Sequence, residues 1–248
     1  MKSDRLLLTA LAAILIPAAV AYAAPRLTIL DNEFDFGYSP QNCEIAHSFW
    51  LHSTGNDSLK IMKVTPGCSC TQAPLQKNML AAGDSTQLEV IFSTGHYYNQ
   101  VTKMPRIQTN EGPPDKFVRI TTYIQPNPDS MYPIVIKPFK LDLSKIGENG
   151  SNEVTFSVHN RTAQLLKLAM IAAPTDCMEI SLPKEIPAGK SVEGTVKIKK
   201  EFLQKQILKS FTFQLNDEHK TRFTVPVNRT PTTEAQTVDK AAAPVGQH

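Results

Sequence analysis

Apolar residues along this 248-residue chain recur mostly at every second position, the period of a half-buried strand. In "EIAHSFWLH", Ile45, His47, Phe49 and Leu51 share one face, while Glu44, Ala46, Ser48, Trp50 and His52 share the other. "TQLEVIF" aligns Leu88, Val90 and Phe92, and "FVRITTYI" aligns Val118, Ile120, Thr122 and Ile124. Turn formers separate these runs: "STGND" at 53–57, Pro66-Gly67, "AGD" at 82–84 and "NEGPP" at 110–114. The nearest approach to a helical period, "KEFLQKQILKSF", is flanked by strand-like runs. Short strands with frequent turns predict an all-β chain of antiparallel immunoglobulin-like sandwiches.

The pattern also repeats. "HSFWLHSTGNDSLKIMKVTPGCSC" (47–70) lies over "VTFSVHNRTAQLLKLAMIAAPTDC" (154–177) without a gap. Phe49 then meets Phe156, Leu59 meets Leu166, Ile61 meets Leu168, and Cys70 meets Cys177. One residue of slippage later, "LAAGDSTQLEVIF" meets "IPAGKSVEGTVKI". The expected organisation is a first sandwich at 24–126 and a diverged second copy at 127–229. They are joined by the proline-rich "QPNPDSMYP", whose prolines favour extended chain. The tail, 230–248, lacks the apolar residues to fold and is expected to be disordered. Proline within the strand-like run at Val225-Pro226 predicts an edge strand, and Met104-Pro105 predicts another.

The first 23 residues read as a secretory signal. Lys2 and Arg5 precede a 15-residue apolar run, and Ala21-Tyr22-Ala23 supplies a small-residue cleavage site. The run is shorter than the roughly 20 residues that span a bilayer. It contacts the membrane only if it is left uncleaved. Export to the periplasm or cell envelope follows from this reading, and with it an oxidising compartment.

Processing leaves 24 Lys/Arg against 22 Asp/Glu. Residues 127–229 are mildly basic, with 15 basic and 11 acidic side chains, but acids interrupt the lysines throughout. That reads as a solvated face, and nucleic-acid binding would want a denser patch.

Four cysteines remain: Cys43, Cys68, Cys70 and Cys177. Cys68 and Cys70 stand one residue apart after the Pro66-Gly67 turn and admit several readings. A disulfide between them would need roughly 6.6 Å between Cα atoms in a strand, the upper edge of the usual range. Its loop is tiny, so it would stabilise little and reduce easily, which suits redox work. Two thiolates at this spacing also suit Cu(I), with Met62, Met79, Met104 or His47 as further ligands. The ordinary reading is packing as small apolar residues at a strand corner, or a structural disulfide from Cys43 to either one. Cys177 reads as a core residue, and His47 as a core histidine.

No serine or cysteine nucleophile, histidine and carboxylate stand at recognisable spacing, and no phosphate-binding glycine loop occurs. The expectation is therefore no enzyme. Trp50 and the pair Tyr97 and Tyr98 are aromatics able to anchor a partner, or else to pack under a neighbouring loop. Asn56, Asn149, Asn160 and Asn228 head Asn-x-Ser/Thr triplets, which matter in a host that glycosylates exported chains.

"FDFGYSPQNCEIAHSFWLHSTGNDSLKIMKVTPGCSCT…LAAGDSTQLEVIFST" resembles the bacterial DUF1573 domain of unknown function. The shared features are the Phe-Asp-Phe-Gly start, the His-x-Phe strand, the Thr-Gly turn, the cysteine pair followed by threonine, and the Ala-x-Gly-x-Ser turn. Ser69 stands where the family pattern has glycine, and Cys43 has no counterpart in it. The resemblance covers about 33–124, with a weaker echo at 139–228. It implies an exported immunoglobulin-like sandwich related to hydin-type (ASH) domains and, more distantly, to pilus chaperones. It brings no activity. Three functions follow as expectations. The first is a non-enzymatic binding or scaffolding protein whose partner is another envelope protein. The second is a Cu(I) or thiol-redox protein centred on Cys68 and Cys70. The third is a chaperone-like binder of an exported chain.

Overall fold

A computed structural model describes residues 23–146 and 152–231. The expected signal segment and tail fall outside the described residues, apart from Ala23, Thr230 and Pro231 at their borders. Among the described residues no helix is long and apolar enough to cross a membrane.

The first half contributes strands β1 (Glu33–Pro40), β2 (Glu44–Ser53), β3 (Leu59–Thr65), β4 (Ser85–Ser93), β5 (Asn99–Lys103), β6 (Arg106–Thr109) and β7 (Arg119–Gln125). The second contributes β8 (Ile134–Lys137), β9 (Glu153–Asn160), β10 (Leu166–Ala172), β11 (Met178–Ser181), β12 (Ser191–Ile198), β13 (Ile207–Leu215) and β14 (Arg222–Arg229). Two-residue strands at Leu27–Thr28, Thr71–Gln72, Met79–Leu80, Lys116–Phe117, Leu141–Asp142 and Glu185–Ile186 complete the set. The fold is nearly all β, as the alternating pattern predicts.

Alternation places each core. Along β2, Ile45, Phe49 and Leu51 are buried and Trp50 is exposed, while β3 buries Leu59 and Ile61 and exposes Lys60 and Met62. Burial of each such side chain stabilises by roughly 1.5–3 kcal/mol. One cluster gathers Phe36, Phe49, Leu51, Phe92 and Ile120, and a second gathers Phe156, Phe211, Phe213 and Phe223. The gapless sequence alignment pairs β3 with β10, and both begin and end at aligned positions.

The antiparallel ladders expected from sequence are present, and each half has its own core. One eight-stranded sheet runs through both, in the order 185–186, β10, β13, β14, β1, β7, β5, with 141–142 also on β14. Three of its pairings are parallel: β1 with β7, β1 with β14 at Tyr38 and Phe223, and 141–142 with β14. Side chains reinforce the seam. Thr224 Oγ1 donates to the Phe36 carbonyl at 2.6 Å, and Arg222 Nη1 donates to that of Asp35 at 3.2 Å. Asn228 Nδ2 donates to Glu44 Oε2 at 3.1 Å, and Lys209 pairs with Glu89.

Two local expectations change. β14 is not an edge strand, since it lies between β13 and β1. Its neighbours on the second side are β1 at Phe223 and 141–142 at Val227 and Asn228, and Pro226 falls between these two contacts. A missing N–H costs least in that gap. The prolines of the joining segment do not hold it extended either. Pro128 opens a 3-10 turn, Pro128–Ser130, with Asn127 Oδ1 accepting from Asp129 N at 3.2 Å. The fixed φ of proline suits a first helical position. Asn160 is wholly buried, its Nδ2 donating to the carbonyls of Gln164 (2.7 Å) and Ile186 (3.0 Å), so it is a structural side chain.

Candidate functional site

The segment after β3 leaves the strand at Pro66, and Gly67 takes a φ of +93°. Glycine bears that conformation without a Cβ penalty. The chain turns tightly enough to bring Cα of Cys68 within 5.2 Å of Cα of Cys70, and the two form a disulfide. The strand geometry anticipated a wider gap, which the turn removes. The bond therefore replaces both the packing reading and the pairing of either residue with Cys43. Two main-chain hydrogen bonds fix the turn: Thr71 N to Cys68 O at 3.3 Å, and Ser93 N to Cys70 O at 2.9 Å. Both cysteines are half-buried, and Cys70 packs against the first core.

Tyr97, from the turn between β4 and β5, directs its hydroxyl at Cys70 Sγ, 3.7 Å away. Lys103 Nζ, on β5, lies 3.4 Å from that hydroxyl and 4.5 Å from the Tyr97 ring centroid. The Tyr97 carbonyl accepts from Gln41 Nε2 at 2.7 Å, which fixes the turn that carries it. A disulfide, a phenol and an ammonium thus converge beside the end of β5.

The other two cysteines are free. Cys43 is buried, its Sγ 3.2 Å from the Pro40 carbonyl and 3.3 Å from Thr94 Oγ1, and burial pushes its thiol up to about 11. Cys177 is buried below the turn after β10, and burial pushes it up to about 12. Neither is a ready thiolate. Among the described residues no three His, Cys, Asp or Glu side chains cluster to hold a metal ion. In the disulfide neither Cys68 nor Cys70 carries a free thiol.

All three aromatics singled out in the sequence reach solvent: Trp50 is 51% exposed, Tyr97 40% and Tyr98 67%. They do not make one patch. Trp50 stands opposite Gln87, six residues from Ser93 along β4, or roughly 20 Å from the turn that carries the tyrosines. Trp50 stacks loosely on His52. Tyr97 and Tyr98 instead lead into β5, whose one ladder partner among the described residues is β7. Asn99, Gln100 and Thr102 of β5 are exposed. The edge strand expected at Met104-Pro105 falls at β5, which ends at Lys103 on the edge of the sheet, although "NQVTK" carries a single apolar residue and shows no alternation.

His47 stacks on Phe34, with ring centroids 3.6 Å apart, and meets Phe49 edge-on. Burial lowers its pKa to about 4, so the ring is neutral near pH 7. It borders an open cleft of about 600 Å³ between the halves, walled by Ser48 and Glu89 on one side and Pro174 and Lys209 on the other. The sequence gives no hint of this cleft, whose walls lie far apart along the chain.

Residues 27–124 match the family described as "Protein of unknown function (DUF1573)". No curated protein matches the chain in sequence. Among solved structures, a protein of unknown function from Porphyromonas gingivalis W83 is 13% identical, covering 82% of this chain and 98% of that one, with a TM-score of 0.35. PapD-like domain 7 of human CEP192, an ASH/PapD-like domain, is 6% identical over 50% of this chain and 99% of its own, with a TM-score of 0.35. The YadV chaperone is 12% identical over 82% and 98%, with a TM-score of 0.29.

Proposed function

We propose, for a chain whose first sandwich is a domain of the DUF1573 family, a function of binding without catalysis. In this reading an exported envelope protein takes up an extended segment of another envelope protein along β5. The carrying observation is the state of that edge. β5 pairs on one side with β7, its residues Asn99, Gln100 and Thr102 are exposed, and Tyr98 stands two-thirds exposed at its start. An open strand edge offers main-chain donors and acceptors to an added strand, and flanking aromatics supply the apolar anchor. The basic, small-residue-terminated apolar segment at 1–23 supports export. The hydrogen-bonded junction with the second half suits a scaffold that presents this edge.

The test uses wild-type protein and the double variant Tyr98→Ala/Gln100→Lys, each immobilised and exposed to solubilised native envelope. Both positions are exposed, so the fold tolerates the changes. A partner retained by the wild type and lost by the variant supports the reading. Equal retention by both contradicts it.

A further inference from the structure

We propose that the Cys68–Cys70 disulfide is a reversible redox centre that oxidises thiols, with Tyr97 and Lys103 positioned to stabilise its reduced form. The proposal stands apart from strand binding on β5 and fails or succeeds separately.

The bond has little structural work to do. It joins residues two apart in one turn, so it ties no two strands together. Closing so small a loop removes little entropy from the unfolded chain. The turn is already held by the hydrogen bonds Thr71 N to Cys68 O and Ser93 N to Cys70 O. A disulfide that staples nothing fits the labile, functional kind.

Its surroundings are those of a thiolate. The Tyr97 hydroxyl points at Cys70 Sγ from 3.7 Å, and the Lys103 ammonium stands 3.4 Å behind that hydroxyl. Lys103 is itself held over the rings of Phe92 and Tyr97, at 5.1 and 4.5 Å. A hydrogen-bond donor backed by a cation favours the anionic sulfur over the neutral one. Thiolate stabilisation makes a disulfide more oxidising. Cys43 and Cys177 are buried free thiols and stand outside the exchange.

The substrate class is a dithiol. One thiolate of the dithiol attacks Cys68 Sγ and forms a mixed disulfide. The Cys68–Cys70 bond breaks, and its electron pair leaves on Cys70 Sγ, where the Tyr97 hydroxyl donates to it. The dithiol's second thiolate then attacks its own sulfur in the mixed disulfide and releases Cys68 as a thiolate. The dithiol loses two electrons and becomes a disulfide, and Cys68 and Cys70 gain those two electrons. The dithiol's two protons pass to solvent or to the released sulfurs.

The purified protein is equilibrated in reduced and oxidised glutathione at set ratios, trapped by alkylation, and the labelled cysteines located by peptide mass spectrometry. The expected result is joint labelling of Cys68 and Cys70 in the folded protein, with Cys43 and Cys177 unlabelled. Tyr97→Phe shifts the equilibrium toward the disulfide by about tenfold or more, for loss of a hydrogen bond to a charged sulfur, and Lys103→Gln shifts it in the same direction. Lys103→Arg keeps the wild-type position. Thermal midpoints of the oxidised variants, measured alongside, report that each is folded. A disulfide that glutathione reduces only after unfolding overturns the proposal, as does an equilibrium that Tyr97→Phe and Lys103→Gln leave unchanged.

Discussion

Ser210 of β13 exchanges two hydrogen bonds with the main chain of Ala46 on β2: its Oγ accepts from Ala46 N and donates to Ala46 O, both at 3.0 Å. One buried hydroxyl thereby satisfies a donor and an acceptor of the other half. Ser210→Ala leaves both unpaired where Ala46 and Ser210 are buried, at the base of the cleft between the halves. The expected cost is about 1–3 kcal/mol, read from the urea midpoint at constant slope. An unchanged midpoint would show that water replaces the hydroxyl without penalty.

Gly37 lets β1 approach β14. Its φ is +63°, and a Cβ built there would overlap the Arg222 carbonyl oxygen. Gly37→Ala therefore strains the backbone and pushes the halves apart. A loss of about 2 kcal/mol or more is expected. Thermal melts check this, with Gly83→Ala as the comparison. Gly83 also has positive φ, at +81°, but open space around its missing Cβ. The Gly37 variant should melt lower than the Gly83 variant, and the reverse order would remove the seam from the account.

The His47 ring is held neutral by burial against Phe34, Phe36 and Phe49. Its pKa is about 4 folded, against 6.5 for the ordinary group. Between these values the unfolded chain binds a proton that the folded chain refuses, so stability rises with pH. Its contribution is complete above 6.5 and falls by up to about 3 kcal/mol as pH drops toward 4. Stability measured across this window should show that slope in the wild type and a flatter one in His47→Phe. Parallel curves for the two proteins would place the proton elsewhere.

Local order was legible in the chain, and long-range order was not. The alternation in "EIAHSFWLH" sets which faces of β2 are buried, because side-chain direction in a strand depends only on position along it. Cys68 and Cys70 stood out by spacing, and a disulfide between them was one of the open readings; the turn at Gly67 brings their Cα atoms to 5.2 Å, well inside the range that an extended strand only just reaches. The seam between β1 and β14 joins residues nearly 190 positions apart, such as Phe36 and Thr224, through a short parallel contact that leaves no periodic trace. β5 is signalled by the proline that follows it, at Met104-Pro105, and not by alternation. An edge strand with both faces largely solvated needs no apolar alternation. The feature that carries the functional reading was thus the one the hydrophobic pattern was least able to mark.

The most direct test of that reading places a photoreactive residue at position 100 on β5 and, as a control, at exposed position 184, followed by irradiation in the native envelope. The account predicts a discrete adduct from position 100, its loss when Tyr98→Ala is added, and none from position 184. Equal adducts from both positions, or an adduct from position 100 that survives Tyr98→Ala, would contradict it.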